Sequence, residues 1–212
     1  MLNMRKSIAV LAVLLASVVG ARAAELVANK DYELVNPPQP TERAKVEVIE
    51  FFSYMCPHCD HIDPLVGKWA KTLARDVVFT RVPVIFRPQW EAPAKLYYSI
   101  EALGESERLH AAVFTAIHRE NTDLSTEAGV TNWVVRKGLD RKKFTDAYNS
   151  FSVQTGAQRS KQRQAAYGIP GVPSFVVAGK YRTPDDFRGN FDELLALVDR
   201  LIVKARGEQG RK

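Results

Sequence analysis

The chain has 212 residues, 46% of them hydrophobic and 25% charged, an ordinary globular composition that excludes a disordered or low-complexity protein. Its formal charge is +6 at pH 7, but Lys and Arg are scattered apart from Arg159, Lys161 and Arg163, which read as one solvated helix face. No nucleic-acid partner is therefore expected. There are two cysteines, both inside one tetrapeptide, which excludes a framework of structural disulfides.

At the N-terminus Arg5 and Lys6 precede an apolar run over 8–19, followed by Gly20-Ala21-Arg22-Ala23. That order predicts a signal peptide over 1–23, cut after Ala23. The run is shorter than the roughly 20 residues a membrane-spanning helix needs. Removal would take away Arg5, Lys6 and Arg22 and no acidic residue, leaving a formal charge of +3.

Residues 45–53, KVEVIEFFS, are β-branched and aromatic with almost no polar interruption, the pattern of a strand covered on both faces. A helix is expected from Cys56 to about Ala74, with Ile62, Leu65, Val66, Trp69 and Leu73 at helical spacing and a kink at Pro64. A second strand is expected over 77–85. Helices follow over 92–103, 107–120, 125–137 and 140–167, with Ser125 and Asp140 as N-caps and Gly104, Gly138 and Gly168 as stops. A strand over 174–177 ends at the turn Ala178-Gly179-Lys180. The chain closes with an amphipathic helix whose stripe is Phe191, Leu194, Leu195, Val198, Leu201 and Ile202, before a frayed tail over 207–212. The class is α/β, with residues 24–88 and 168–206 forming one unit and 89–167 an all-helical insertion.

The chemistry-bearing motif is Cys56-Pro57-His58-Cys59, at the junction of the first strand and its helix. Free backbone N–H groups and the helix dipole at such a position stabilise negative charge, so Cys56 should be acidic and largely thiolate near neutrality. Cys59, one turn on, is placed to close the ring. Pro57 stiffens the first turn, and His58 can supply a hydrogen bond or a positive charge. Each pKa unit of thiolate stabilisation is worth about 1.4 kcal/mol, or roughly 30 mV for a two-electron couple. Zinc would want four ligands, and only His58 and His61 are near the pair; a c-type haem would need His where Asp60 stands. No metal or cofactor is expected. His61, His110 and His118 are assigned no chemistry, and Trp69, Trp90 and Trp133 are read as packing residues.

The stretch Phe51-Phe52-Ser53-Tyr54-Met55-Cys56-Pro57-His58-Cys59, together with Gly171-Val172-Pro173 far downstream, resembles the DsbA family of periplasmic thiol oxidases. The order of elements over the whole mature chain matches too, and the resemblance implies a thioredoxin-like fold carrying the helical insertion. It implies that Cys56 is the nucleophile, Cys59 the resolving cysteine and His58 the stabiliser of the thiolate. Val172 and Pro173 would be the valine and cis-proline that meet an extended substrate peptide. Glu50 stands where the family has a buried acidic residue able to move protons to and from Cys59; the competing reading is a surface glutamate like Glu47. The resemblance further implies unfolded exported proteins as substrates, a membrane quinone reductase of the DsbB type as reoxidant, and a periplasmic location. A disulfide isomerase or reductase is the nearest alternative, although no dimerisation region stands between Ala24 and the first core strand. A non-enzymatic metal carrier using Cys56, Cys59 and His58 is the more distant one. A monomer is the default.

Overall fold

The strand expected from the unbroken apolar stretch is an interior strand of the sheet in a computed structural model that describes residues 26–42, 44–185 and 190–210. The expected signal peptide lies outside the described residues. The sheet contains β1 (Glu33–Leu34), β2 (Val46–Phe52), β3 (Val77–Pro83), β4 (Ser174–Val177) and β5 (Tyr181–Arg182), in the order β1-β5-β4-β2-β3. β2 runs parallel to β3 and antiparallel to β4, which in turn runs antiparallel to β5. Being flanked on both sides, β2 divides its side chains between two cores. Val46 and Val48 pack with one cluster, Ile49 and Phe51 with another, and Glu47 and Glu50 lie on opposite faces.

The right-handed crossover expected between parallel neighbours is α1 (Pro57–Ala70), which buries Ile62, Val66 and Trp69 against the sheet. Pro64 lies inside α1 without ending it, and the helix stops at Ala70, short of the expected Ala74. Trp69 donates its indole N–H to Asp199 across 2.8 Å, which ties α1 to the terminal helix.

After β3 and a short 3-10 turn come α2 (Glu91–Ala102), α3 (Ser106–His118), α4 (Glu127–Arg136), α5 (Arg141–Tyr148) and α6 (Phe151–Ala166). Two expectations are corrected here. Thr126 caps α4, accepting from the Gly129 N–H, where Ser125 was expected. The single helix over 140–167 is two helices, because Ser150 caps a new one by accepting from the Val153 N–H. Asp140 does cap α5, and Gly104, Gly138 and Gly168 follow helix ends with left-handed backbones.

The terminal helix α7 (Phe191–Gln209) buries Leu194, Leu195, Val198, Leu201 and Ile202 on the face of the sheet that α1 also covers. It continues to Gln209, through the first residues of the expected frayed tail. Among the described residues no helix is long and apolar enough to cross a membrane. The core of the helical insertion does not stop at its own helices: Phe52, Tyr54, Cys56 and Cys59 belong to the same cluster as Leu96, Leu109, Phe114 and Trp133. The cysteines therefore sit at the seam between the sheet and the insertion.

Candidate active site

β2 delivers the chain to the seam, and a tight turn aims the first cysteine. The Cys56 N–H donates to the Ser53 carbonyl at 3.1 Å, and the Met55 N–H to the Ser53 hydroxyl at 3.1 Å. Cys56 is the N-cap of α1, Pro57 opens its first turn, and no side chain takes the capping role. The first-turn N–H groups are thus left for the sulfur. Both cysteines are free thiols, Cys56 8% exposed and Cys59 1%.

The two sulfurs are electrostatically unequal. Cys56 is lowered to about 6, chiefly because Cys59 donates its S–H to it, then because the backbone N–H groups of Cys59 and His58 point at it, against the opposing effect of burial. The charge of the His58 ring contributes last. The sequence put the helix-start N–H groups first; the Cys59 thiol precedes them, and His58, which is exposed, contributes more through its backbone than through its ring. Cys59 is pushed well above the ordinary thiol value, first by burial and then by its bond to Cys56.

Val172 and Pro173 reach the same place from the far side of the insertion. The Val172–Pro173 bond is cis, and the Cys56 thiol donates to the Val172 carbonyl at 3.3 Å. Ser174, the first residue of β4, braces the loop by donating to the Gly171 carbonyl at 2.7 Å. Beside it lies a cleft of about 390 Å³ walled by His58, Val172, Pro173, Pro184, Phe191 and Leu194.

Glu50 is 2% exposed, which removes the surface alternative. Burial raises its carboxyl above the usual range, while Arg81 works the other way. The Arg81 guanidinium donates to Glu50 at 2.8 Å and to Asp63 on α1 at 3.0 Å. Glu47, by contrast, is half-buried and meets Arg163 at 3.4 Å.

Several residues at the seam were passed over in the sequence. Tyr54 is 1% exposed and its hydroxyl lies 2.7 Å from His110 Nδ1; His110 Nε2 lies 3.0 Å from Asp63. His118 donates from Nε2 to the Tyr54 carbonyl at 2.8 Å, and Arg119 donates to Asp60 at 2.9 Å. Each of these links α3 to the turn or helix that carries the cysteines. Among the described residues no group of three or more His, Cys, Asp or Glu is placed to hold a metal ion.

Comparison with known proteins agrees with this geometry. The family model described as a DSBA-like thioredoxin domain matches residues 68–196. The thiol:disulfide interchange protein DsbA of Bordetella parapertussis is 42% identical over 197 residues, covering 92% of this chain and 94% of that protein. The chain belongs to the DsbA family. Its DsbA relative in Pseudomonas aeruginosa is 37% identical over 187 residues, and a crystal structure of Pseudomonas aeruginosa DsbA superposes with a TM-score of 0.83, covering 88% of this chain and 97% of that one. The oxidoreductase DsbA from Xylella fastidiosa superposes with a TM-score of 0.79 at 28% identity, over 86% and 98% of the two chains. The fold is thus the thioredoxin-like α/β fold with the helical insertion of DsbA structures. The chain is a thiol:disulfide oxidoreductase, with Cys56-Pro57-His58-Cys59 as its Cys-x-x-Cys motif.

Proposed function

We propose that this DsbA-family chain works as an oxidant, donating the Cys56–Cys59 disulfide to unfolded, newly exported proteins in the periplasm. The observation that carries the reading is the inequality of the two thiols: Cys56 lowered to about 6, Cys59 raised well above its ordinary value. A sulfur that prefers to be an anion is a good leaving group, so a disulfide made with it is easily given away.

In the forward reaction a substrate thiolate attacks the sulfur of Cys56, the Cys56–Cys59 bond breaks, and Cys59 departs with the electron pair. Being buried, it takes up a proton, and Glu50 is the donor. A second substrate thiolate then attacks the substrate sulfur of the mixed disulfide, and Cys56 leaves as thiolate. The substrate has lost two electrons to the protein, which a membrane quinone reductase of the DsbB type removes. Pro57 and His58 shape the helix start that stabilises the Cys56 anion. Val172 offers its carbonyl, and Pro173 its apolar ring, to an extended substrate segment beside the cleft. Periplasmic placement is supported by the family and by the signal-like order of residues 1–23.

The test is oxidation of a reduced, unfolded secretory protein by the stoichiometric oxidised chain. Wild type should transfer one disulfide per molecule and Cys56→Ser none. Undiminished transfer by Cys56→Ser would refute the assignment.

A further inference from the structure

The seam contains more ionisable groups than the exchange reaction as described needs. Two buried carboxylates, Glu50 on β2 and Asp63 on α1, share a single guanidinium, that of Arg81 on β3. One cation cannot fully balance two buried anions, so the cluster favours holding one proton. Which carboxyl holds it decides whether a donor stands near Cys59.

We propose that His110, on α3 of the helical insertion, is a positioning residue that places this proton on Glu50 by committing Asp63 to the ionised form. The inference rests on the reading of Glu50 as the proton donor to Cys59, and extends it to a residue on a different lobe.

With Asp63 ionised the hydrogen bonds have a fixed direction: a carboxylate only accepts, so the proton of the 3.0 Å contact sits on His110 Nε2, whereas a protonated Asp63 would itself donate to a bare Nε2. Nδ1 is then free to accept from the Tyr54 hydroxyl at 2.7 Å, or, in the doubly protonated ring, donates to it. In both forms Asp63 receives a donor that Glu50 lacks. Burial alone would raise Asp63, yet the hydrogen bond and charge of His110, with help from Arg81, bring it below its ordinary value. Glu50 stays raised, because burial and the charge of Asp63 outweigh Arg81 and the more distant His110. The ring is held in place by Phe52, Tyr54, Tyr97 and Phe114, whose centroids lie 4.9–6.2 Å from one another or from the imidazole.

The remaining polar groups around the cluster do not reverse this. Tyr97 on α2 and Tyr54 are both raised by burial and stay neutral, and Glu101 on α2 acts on them from the rim. Cys59 is raised in part by the charge of Glu50. Asp63, Arg81, Tyr97, Glu101 and His110 also wall a cleft of about 620 Å³, distinct from the one at Pro173, through which water can reach the cluster.

The experiment follows the side-chain carboxyl carbons of Glu50 and Asp63 by ¹³C NMR against pH in the reduced protein. In His110→Phe, which keeps a ring among the aromatics but removes the donor, the Asp63 midpoint should rise and that of Glu50 fall, each by about one unit. His110→Gln, whose amide can still donate to Asp63, should restore the wild-type order. Midpoints that do not move, or that move together in one direction, would overturn the proposal. Should His110→Phe fail to fold, ¹⁵N spectra of the wild-type imidazole decide: a proton on Nε2 supports the arrangement, and a bare Nε2 overturns it. Failure of the underlying reading shows elsewhere: if Glu50→Gln leaves the pH profile of substrate oxidation unchanged, Glu50 is not the donor, whatever His110 does to its proton.

Discussion

The sulfur of Cys56 and the carbonyl oxygen of Val172 stand 3.3 Å apart although 116 positions separate them in the chain. A thiol donates to that oxygen and a thiolate cannot, so ionisation of Cys56 frees the carbonyl for another donor. On the proposed function the backbone N–H of an extended substrate is such a donor, and neither the thiolate nor the disulfide form of Cys56 competes with it for the carbonyl.

Ultraviolet absorbance of the thiolate gives the first check. The reduced protein should titrate with a midpoint of about 6. Cys59→Ala removes the strongest stabiliser of the anion and should raise the midpoint further than His58→Ala, which leaves the backbone N–H groups in place. A larger shift in His58→Ala would mean that the imidazole leads after all.

Stability of the reduced protein, measured against the oxidised form by urea unfolding, should depend on pH in two opposite ways. The Cys56 value is depressed by folding, so its contribution is fully present above the unfolded thiol value of about 8.5 and fades as pH falls through about 6. The Cys59 value is raised, so its contribution holds below about 8.5 and is lost above it. The difference between reduced and oxidised stability should therefore grow from pH 6 to about 8.5 and then decline. A flat profile would contradict the inequality of the two sulfurs.

Gly179 has φ +67°, and a Cβ there would lie 2.2 Å from the Gln39 carbonyl oxygen. The same glycine accepts from the Gln39 N–H at 2.9 Å, so the contact cannot open without losing the hold on the segment after β1. Gly179→Ala should cost about 1–3 kcal/mol, from the strained backbone alone, in chemical denaturation. The Cys56 titration should not change.

Ser150 begins α6 with a side-chain bond to the Val153 N–H at 3.3 Å. Ser150→Ala should lower stability by about 1 kcal/mol, the usual worth of an N-cap, with disulfide transfer unaffected. No measurable loss would mean that tertiary contacts alone define the break before α6.

That break also shows where sequence reading reached its limit. β2, β4 and the stripe of α7 were legible because burial on one or two faces imposes an apolar pattern that no loop needs. Asn149 and Ser150 are tolerated within helices, so nothing local announced two helices in place of one. β1 and β5, two residues each, are too short to carry a period. The site divided in the same way. Cys56, Pro57, His58 and Cys59 declare themselves by adjacency, whereas Asp63, Arg81, His110 and His118 come from three elements and have no spacing to betray them. Arg81 lay in a strand read for its apolar residues, and only the pairing of Glu50 with Arg81 in the β2–β3 register brings it beside the carboxylate.

The position of β4 between β2 and β5 has a consequence for the order of events in a growing chain. The cysteine pair and the helix start that lowers Cys56 lie early in the chain, on β2 and α1, but the wall they face arrives only with residues 172–177, after the entire helical insertion. An incomplete chain would present a nucleophile with no template to dock a partner and with one flank of β2 bare. Competence as a catalyst thus waits for β4, with β5 and α7 still to follow in the chain.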